Sequence, residues 1–312
     1  TVRVDAGDPV PEGADAVVPR SAADTSIDGS ILRVAQPVES DANVRPVGAD
    51  VEAGATVLDA GHRLGPSDPA LCSAVSRTRV EVVQRPTVGV VPVGDGFAGG
   101  APDDAETVDT DGATLAALVE RWGGKVTYRD PVETDPYALR AAVQRDLTKD
   151  LLVTTGGTSD GHRDRIPDIV DELGEITVSG VGLDPGGSAR VGVVSERPVV
   201  ALPGEPVACL VAAVQLVGPA VTRLAHRSTP SYPTTAARLT EAVDSESGVR
   251  TVVPVALGDS EDQRETATPI SGPEHATAPL ATIARADGWV VVDGDGAEAG
   301  ETVTVERWEG PV

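Results

Sequence analysis

Aromatic residues, methionine and lysine are scarce in this chain. Phe, Trp and Tyr make up 2% of the 312 residues although 40% are hydrophobic, so Val, Ala and Leu must fill the interior. Methionine is absent, and we therefore expect that a segment before residue 1 is missing. Arginine supplies almost all of the positive charge, because Lys125 and Lys149 are the only lysines.

Positive charge is also outnumbered. Lys and Arg total 25 against 49 for Asp and Glu, a net charge of −24, which disfavours nucleic acid and anionic membranes as partners. The acids are spread along the chain instead of forming one tail. In molar salt the Debye length falls to about 3 Å, so such diffuse repulsion becomes tolerable. Together with the shortage of lysine, this balance predicts a halophilic protein; an ordinary acidic protein is the alternative.

Cysteines and long apolar runs are few. Cys72 and Cys209 lie in the apolar stretches "ALCSAV" and "VACLVAAV", without the spacing of a metal site or a disulfide framework. We expect two buried free thiols. No run of about 18 apolar residues and no signal-like start is present, so we expect a cytoplasmic protein.

Strand and helix patterns alternate between residues 85 and 228. The predicted strands are "PTVGVVPVG", "KVTYRD", "DLLVTTGG" and "RPVVALPG". Each is followed by a helical pattern: "TDGATLAALVERWGG", "DPYALRAAVQRDL" capped by Asp135, "DRIPDIVDELG" ended by Gly174, and "PVACLVAAVQLVGPAVTRLA". This order predicts an α/β domain with a mostly parallel sheet, in which ligands bind at the carboxyl ends of the strands.

The flanking regions have other patterns. Residues 1–48 alternate short apolar runs with Pro and Gly and predict a partial β-rich domain, and 49–84 predict a linker with a short helix, "PSDPALCSAV", followed by a strand. Residues 231–312 predict a small β domain of barrel type that contains a short helix, "PLATIARA".

Four glycine-rich loops lie in the α/β domain, three of them directly after predicted strands. In "DLLVTTGGTSDGHRDRIPDIV" a strand ends in Gly156 and Gly157 before a helix begins, a junction whose backbone N–H groups suit a phosphate. Taken alone, this stretch favours a tight turn without a ligand, because many ordinary turns between a strand and a helix look the same. The other loops are "VGDGFAGG", "GLDPGGSAR" and "LPGEPVACL", and we expect all four to meet at one sheet edge.

Carboxylates gather in and beside these loops, and this grouping suits Mg²⁺ next to a phosphate. They are Asp95, Asp109, Asp111, Asp160 and Asp164. For any one of them, a helix cap or a solvated loop charge is the alternative.

The order of motifs resembles that of the molybdopterin molybdenumtransferases, the MoeA/gephyrin E-domain family. The matching runs are "GDPVPEGADAVVP", "NVRPVGADVEAGATVLDAGHRLGPSDPALC", "RPTVGVVPVGD", "LLVTTGGTSDGHRD", "VVALPGEPVACL" and "PLATIARADGWVVVDGDGAEAGETVTV". The chain looks like a diverged, haloarchaeal member. The resemblance implies a central MoaB/Mog-like molybdopterin-binding domain and a homodimer. It also implies the chemistry: molybdate is inserted into adenylylated molybdopterin, and AMP is released with Mg²⁺.

The resemblance also implies roles for individual residues. The family's catalytic loop carboxylates correspond to Asp95, Asp109 and Asp164. Two of these, Asp95 and Asp164, are also the expected metal ligands. The expected pterin-binding residues are Gly156, Gly157, Thr158, Ser159, Gly161, Pro203, Gly204 and Pro206, with Arg190 as a candidate phosphate partner. Pro11, Gly13, Ala14 and Asp15 match the motif that faces the partner subunit's site.

Three positions depart from the family pattern. Gly96 stands where the family has Glu, Glu205 where it has Asn, and Asp184 opens a loop in which a Lys is expected. Arg163, Arg165 or Arg190 could replace the lost cations, or could be surface arginines paired with acids. His162, in the same loop, could donate to a phosphate or face solvent. Two alternatives to the transferase therefore stand: an altered paralogue that binds or delivers molybdopterin, and a molybdopterin adenylyltransferase.

Overall fold

A computed structural model describes residues 2–25, 31–34, 36–95, 97, 108–158, 161, 164–229, 231–259, 265–270 and 280–308. The chain divides into two compact units, Thr1–Val82 and Val83–Val312.

The first unit has little regular structure. A 3₁₀ turn, Arg20–Ala22, leads into β1 (Ala23–Thr25), which pairs antiparallel with β2 (Leu32–Val34). The predicted short helix is α1 (Asp68–Ala74). Asp68 accepts a hydrogen bond from the Gly65 backbone N–H at 2.5 Å, and this bond, helped by His62, lowers the pKa of its carboxyl group. The turn that leads into α1 is thereby fixed.

The strand predicted after α1 is wrong. No strand lies between α1 and the first strand of the second unit, and Val80, Val82 and Val83 are more than half exposed. The alternating pattern of "RTRVEVV" is that of a strand, but the described part of the chain offers its backbone no neighbouring strand to pair with.

The second unit begins with the predicted alternation of strands and helices. Its elements are β3 (Thr87–Pro92), α2 (Asp111–Arg121), β4 (Lys125–Tyr128), α3 (Pro136–Asp146), β5 (Leu151–Thr155), α4 (Ile166–Leu173), β6 (Glu175–Ser179), β7 (Leu183–Asp184), β8 (Arg190–Val194), β9 (Arg197–Leu202), α5 (Pro206–Ala212), a π-helical turn (Ala213–Val217) and α6 (Gly218–Leu224). Asp135 caps α3 by accepting from Tyr137 N and Ala138 N, and Gly174 ends α4, both as predicted.

Six strands form one sheet in the order β4-β3-β5-β9-β8-β6. The first three pairings are parallel and the last two are antiparallel, so the sheet is mixed. The sequence analysis missed β6, β7 and β8. None of the five residues of β6 is buried, β7 has only two residues, and β8 begins with a charged residue and contains Gly192, so their apolar patterns are weak.

Of the four parallel strands, β3, β5 and β9 are buried on both faces, whereas the edge strand β4 has no buried residue. Side chains of β5 alternate between two cores: Leu151 and Val153 pack with α2 and α5, whereas Leu152 packs with α3 and α4. The helical run Pro206–Leu224 is long and apolar enough to cross a membrane by length and composition alone, but 67% of its apolar window is buried inside the protein. It is the central core helix of this unit.

The C-terminal strands close into a barrel, in agreement with the predicted fold class. They are β10 (Thr234–Leu239), β11 (Arg250–Asp259), β12 (Glu265–Pro269), β13 (Gly288–Asp293) and β14 (Thr302–Glu306), with the short helix α7 (Leu280–Ile283) before β13. Pairing runs β12-β10-β14-β13-β11 and returns from β11 to β12.

The barrel and the α/β layer share one core. Strand β7 pairs with β11, and Trp289 stacks on Trp308 with ring centroids 5.3 Å apart. Both tryptophans belong to the same buried cluster as Val207 and Val211 of α5. The barrel is therefore packed firmly against the α/β layer.

Candidate active site

One edge of the six-stranded sheet collects the loops that the sequence singles out. Because β3, β4, β5 and β9 are parallel, their carboxyl ends lie together. Strand β8 runs the other way, and its first residue, Arg190, pairs with Ala201 near the end of β9. Loops after β3, β5 and β9 and the loop before β8 therefore meet at this edge, as predicted.

Two glycines let the strand ends approach each other closely. Gly156 has φ +83°, and a Cβ atom there would lie 2.4 Å from the carbonyl oxygen of Val93. A Cβ on Gly204 would lie 3.0 Å from the Cα of Gly156. A side chain at Gly156 would collide with the backbone of Val93, and one at Gly204 would be tight against Gly156, so glycine at these positions lets the loops after β5 and β9 approach closely.

A cavity of about 480 Å³ opens beside these glycines. Its lining residues are Gly157, Asp164, Leu183, Asp184, Pro185, Gly186, Gly187, Ser188, Pro203, Gly204, Glu205 and Ala208. Three of the four glycine-rich loops thus contribute to one concave surface. Among the described lining residues the charged side chains are all carboxylates, those of Asp164, Asp184 and Glu205.

Asp164 is the predicted catalytic carboxylate that lines the cavity. It is half-buried, and its Oδ2 accepts a hydrogen bond from the Gly161 backbone N–H at 2.9 Å. The predicted or candidate residues Gly96, Ser159, Asp160, His162 and Arg163 lie outside the residues that the structure describes.

Asp95 and Asp109 lie at the same sheet edge but hold neighbouring loops. The two carboxylate oxygens of Asp95 accept from Thr134, one from its backbone N–H at 2.9 Å and one from its hydroxyl at 2.7 Å. Asp109 accepts from Gly112 N at 2.9 Å and from the Tyr128 hydroxyl at 2.6 Å. Neither belongs to the described lining of the cavity.

Tyr128 and Thr134 are site-edge residues that sequence reasoning missed. Burial, reinforced by the hydrogen bond to Asp109, raises the pKa of Tyr128 to about 12, so its hydroxyl stays protonated and donates. Their positions, at the end of β4 and just before the cap of α3, are the signal that could have identified them.

Asp111 is a half-buried carboxyl group near the same edge. Burial raises its pKa to about 6, against the opposing effect of a hydrogen bond from Thr110. Together with Pro206 and Cys209 it lines a small cleft between α2 and α5. Cys209 is a buried free thiol, as expected, and burial raises its pKa. Cys72 is also a free thiol, but it is only half-buried.

Arg190 contacts the glycine-rich loop after β5. Its Nε donates to the Thr158 carbonyl oxygen at 3.2 Å, and its Nη1 donates to the Ser179 hydroxyl. Thr158 itself is buried. Pro206, also predicted to bind the pterin, is the first residue of α5.

The residues expected to face a partner subunit lie in the first unit. Pro11 is half-buried, and Gly13 adopts φ +84°. Asp15 is exposed; its carboxylate accepts from Ser40 at 3.3 Å and its carbonyl from the Asp41 N–H at 2.7 Å. These bonds tie the motif to the turn at residues 40–43.

Known family models cover the chain in three consecutive blocks. The model "MoeA N-terminal region (domain I and II)" matches residues 1–76, "Probable molybdopterin binding domain" matches 89–223, and "MoeA C-terminal region (domain IV)" matches 236–308.

Whole-chain relatives agree with these matches. Molybdopterin molybdenumtransferase 1 of Mycobacterium tuberculosis is 31% identical over 314 residues, covering 97% of this chain and 73% of the relative. The molybdopterin molybdenumtransferase of Bacillus subtilis is 26% identical over 97% of this chain and 72% of the relative. A crystal structure of the molybdopterin biosynthesis MoeA protein from Pyrococcus horikosii superposes with a TM-score of 0.75 at 28% identity, covering 96% of this chain and 74% of that one. The chain therefore belongs to the molybdopterin molybdenumtransferase, or MoeA, family.

Proposed function

We propose that this protein inserts molybdate, or tungstate, into adenylylated molybdopterin and releases AMP, in the cytoplasm. The observation that carries the proposal is the convergence of Gly157, the Pro203–Gly204 turn and the Asp184–Ser188 loop on one cavity. Its volume, about 480 Å³, lies in the range of small-molecule and cofactor sites. In this proposal residues 85–228 carry the site.

The backbone of the glycine-rich loop is the proposed phosphate ligand. Gly157 lines the cavity just before α4, and backbone N–H groups at the start of a helix suit a phosphate. Thr158, Ser159 and Gly161 complete this loop, and Pro203, Gly204 and Pro206 form the wall provided by the turn after β9. In this proposal the site acts by holding pterin and molybdate in reacting geometry.

The carboxylates divide into two proposed groups. Asp164 acts within the cavity, where it orients molybdate or its water. Asp95 and Asp109 act from the rim, because their carboxylate oxygens accept hydrogen bonds from Thr134, Gly112 and Tyr128.

The donor set at the cavity fits Mg²⁺. Asp164, with Asp184 or Glu205, offers the hard carboxylate oxygens that Mg²⁺ prefers. No group of three or more His, Cys, Asp or Glu side chains that could hold a metal occurs among the described residues. Mg²⁺ usually binds through one or two carboxylates plus substrate phosphates, so in this proposal the substrate supplies the remaining ligands. When bound, the ion would neutralise phosphate charge.

A second function is favoured by the charge of the cavity. Asp184 and Glu205 stand where the family pattern has Lys and Asn, and they add negative charge to a surface that must accept a phosphate. These two acids support a paralogue that binds or delivers molybdopterin without turnover.

Molybdate-dependent AMP release separates the two functions. The proposed transferase releases AMP from adenylylated molybdopterin only when molybdate is added. An Asp164→Asn variant should lose activity by about 100-fold, in the range seen for loss of one charge-stabilising group. Asp168→Asn, one helical turn further along and exposed, is the matched control and should retain wild-type activity. If the wild-type protein binds the pterin but releases no AMP at any salt concentration, the transferase is excluded and the binding or delivery function is supported.

A homodimer completes the proposal. Among the described residues of the first unit no apolar side chain is buried, and Val2, Val47, Val80 and Val82 are all more than half exposed. These exposed valines are apolar surface that a second copy would bury in the proposed dimer. The motif at Pro11, Gly13 and Asp15 is the proposed face toward the partner subunit's site.

A further inference from the structure

Backbone hydrogen bonds hold the first part of the glycine-rich loop after β5. Gly156 N–H donates to the Leu202 carbonyl oxygen at 2.9 Å, and the Gly157 carbonyl oxygen accepts from Ile166 N–H at 3.2 Å. Gly156 and Gly157 have φ values of +83° and +70°, a region that glycine enters freely. The Thr158 carbonyl oxygen, the next along the chain, is held by a side-chain contact. Arg190 supplies that contact.

Arg190 is placed by the sheet. Its Cα pairs with Ala201 of β9 on one side and with Ser179 of β6 on the other, so its backbone is fixed by two strands. From there Nε reaches the Thr158 carbonyl oxygen at 3.2 Å, and Nη1 reaches the Ser179 hydroxyl. The guanidinium is planar and rigid, so these two bonds hold the Thr158 carbonyl in a fixed relation to the end of β6.

The contact continues toward the cavity. Thr158 is 1% exposed, and its hydroxyl oxygen lies 3.5 Å from that of Ser188. Ser188 and Gly157, the residue before Thr158, both line the cavity, whereas Arg190 is not among its described lining residues. The guanidinium therefore contacts a residue next to the cavity wall without lining the cavity itself.

We propose that Arg190 is a positioning residue: through the Thr158 carbonyl it holds the Gly156–Thr158 loop in the conformation that binds the phosphate. This inference rests on the function proposed above. It assigns Arg190 a role that depends on the shape of its guanidinium, whereas a direct phosphate partner would depend mainly on its positive charge. Lysine keeps the charge but has no fork with which to bond two acceptors.

Three variants test this role: Arg190→Ala, Arg190→Lys and the control Arg197→Ala. Arg197 begins β9 at the far end of the β8–β9 hairpin, where it pairs with Asp150 at 3.6 Å. Amide hydrogen exchange of Gly157 and Thr158 is measured on each full-length, ligand-free protein, and AMP affinity is measured by calorimetry.

We expect both Arg190 variants to exchange at Gly157 and Thr158 about tenfold faster than wild type, and to bind AMP about tenfold more weakly, because a charged hydrogen bond is lost. The Arg190→Lys variant should resemble Arg190→Ala in both exchange rate and AMP affinity, whereas Arg197→Ala should match wild type in both measurements. Wild-type exchange in both Arg190 variants, or an Arg190→Lys variant that recovers AMP affinity, overturns the proposal. Failure of the wild-type protein to bind AMP would contradict the proposed function. It would not affect the test of the positioning role, because amide exchange at Gly157 and Thr158 is measured without ligand.

Discussion

At the scale of single residues, Asp111 couples folding to pH. Burial raises the pKa of its carboxyl group from 3.8 to about 6 in the folded protein. Below about pH 4 the group is protonated in both the folded and the unfolded states. Between the two values the folded state binds more protons, so this group lowers the free energy of unfolding as pH rises, and the loss is complete above about pH 6.

An Asp111→Asn variant removes this cost. We predict that its melting temperature exceeds that of wild type at pH 7 and that the difference shrinks to near zero as pH falls to about 4. Thermal unfolding between pH 4 and 8 measures it, with Asp59→Asn, an exposed carboxylate, as the control that should show no such trend. A gap that does not change with pH would mean that the folded-state carboxyl group is not held away from water.

Gly156 provides a second test at this scale. Alanine at a positive φ costs about 1 kcal/mol by itself. At Gly156 the new Cβ would also meet the Val93 carbonyl oxygen at 2.4 Å, and relieving that clash should cost about 2 kcal/mol more.

Gly248→Ala separates the two effects. Gly248 has φ +82°, close to the +83° of Gly156, but nothing lies within 4 Å of the position that an alanine methyl group would take there. Chemical denaturation should therefore show a small loss for Gly248→Ala and a loss roughly three times larger for Gly156→Ala. Equal losses would show that the close approach of the strand ends is unimportant.

Sequence alone predicted the glycine-rich loops and the carboxylates near them, but not how the carboxylates are used. Asp164 reaches the cavity, while Asp95 and Asp109 turn to hydrogen-bond donors from Thr134 and Tyr128. Those donors lie 39 and 19 residues away along the chain. Which acid faces the cavity therefore depends on tertiary contacts that no local pattern encodes.

At the scale of elements, a buried ion pair ties α3 to the sheet. Asp146, the last residue of α3, is 0% exposed, and Arg129, just after β4, donates to both of its carboxylate oxygens. We predict that Arg129→Ala lowers the free energy of unfolding by about 3 kcal/mol, because it leaves a buried carboxylate short of its main partner.

Arg145→Ala is the matched control on the same carboxylate. Arg145 also bonds Asp146, but its side chain is 47% exposed, so its removal should cost less than about 1 kcal/mol. Urea denaturation of both variants measures the difference. Similar losses for the two would argue against a special role for Arg129.

The elements that sequence predicted best were those with long, buried patterns. The strands β3, β5 and β9 and the helices α2 to α4 follow the alternation of apolar runs and caps, and Asp135 and Gly174 mark two of the ends. The sequence also predicted a strand at residues 77–84 that the structure does not contain. An alternating apolar pattern is not sufficient, because a strand also needs a neighbouring strand to pair with.

At the scale of the whole molecule, the exposed valines of the first unit predict self-association. Light scattering should give about twice the chain mass of 31.8 kDa. Val80→Asp combined with Val82→Asp should shift the mass to that of one chain, since a charge on each buried contact surface opposes association. Val178→Asp, on the exposed strand β6, is the control that should remain dimeric. A wild-type mass of one chain at both low and high salt contradicts the dimer.

The net charge of −24 predicts that the protein is halophilic. Self-repulsion between dispersed acids weakens as salt shortens the Debye length, so high potassium chloride is the appropriate medium for these measurements.

A crystal structure of the full chain soaked with AMP tests the central claim most directly. The account predicts that AMP binds in the cavity between Gly157, the Pro203–Gly204 turn and the Pro185–Ser188 loop, with its phosphate against the backbone N–H groups of the loop after β5. AMP bound elsewhere, for example in the groove of the barrel beside Arg238 and Thr302, with this cavity closed by its own side chains, would contradict it.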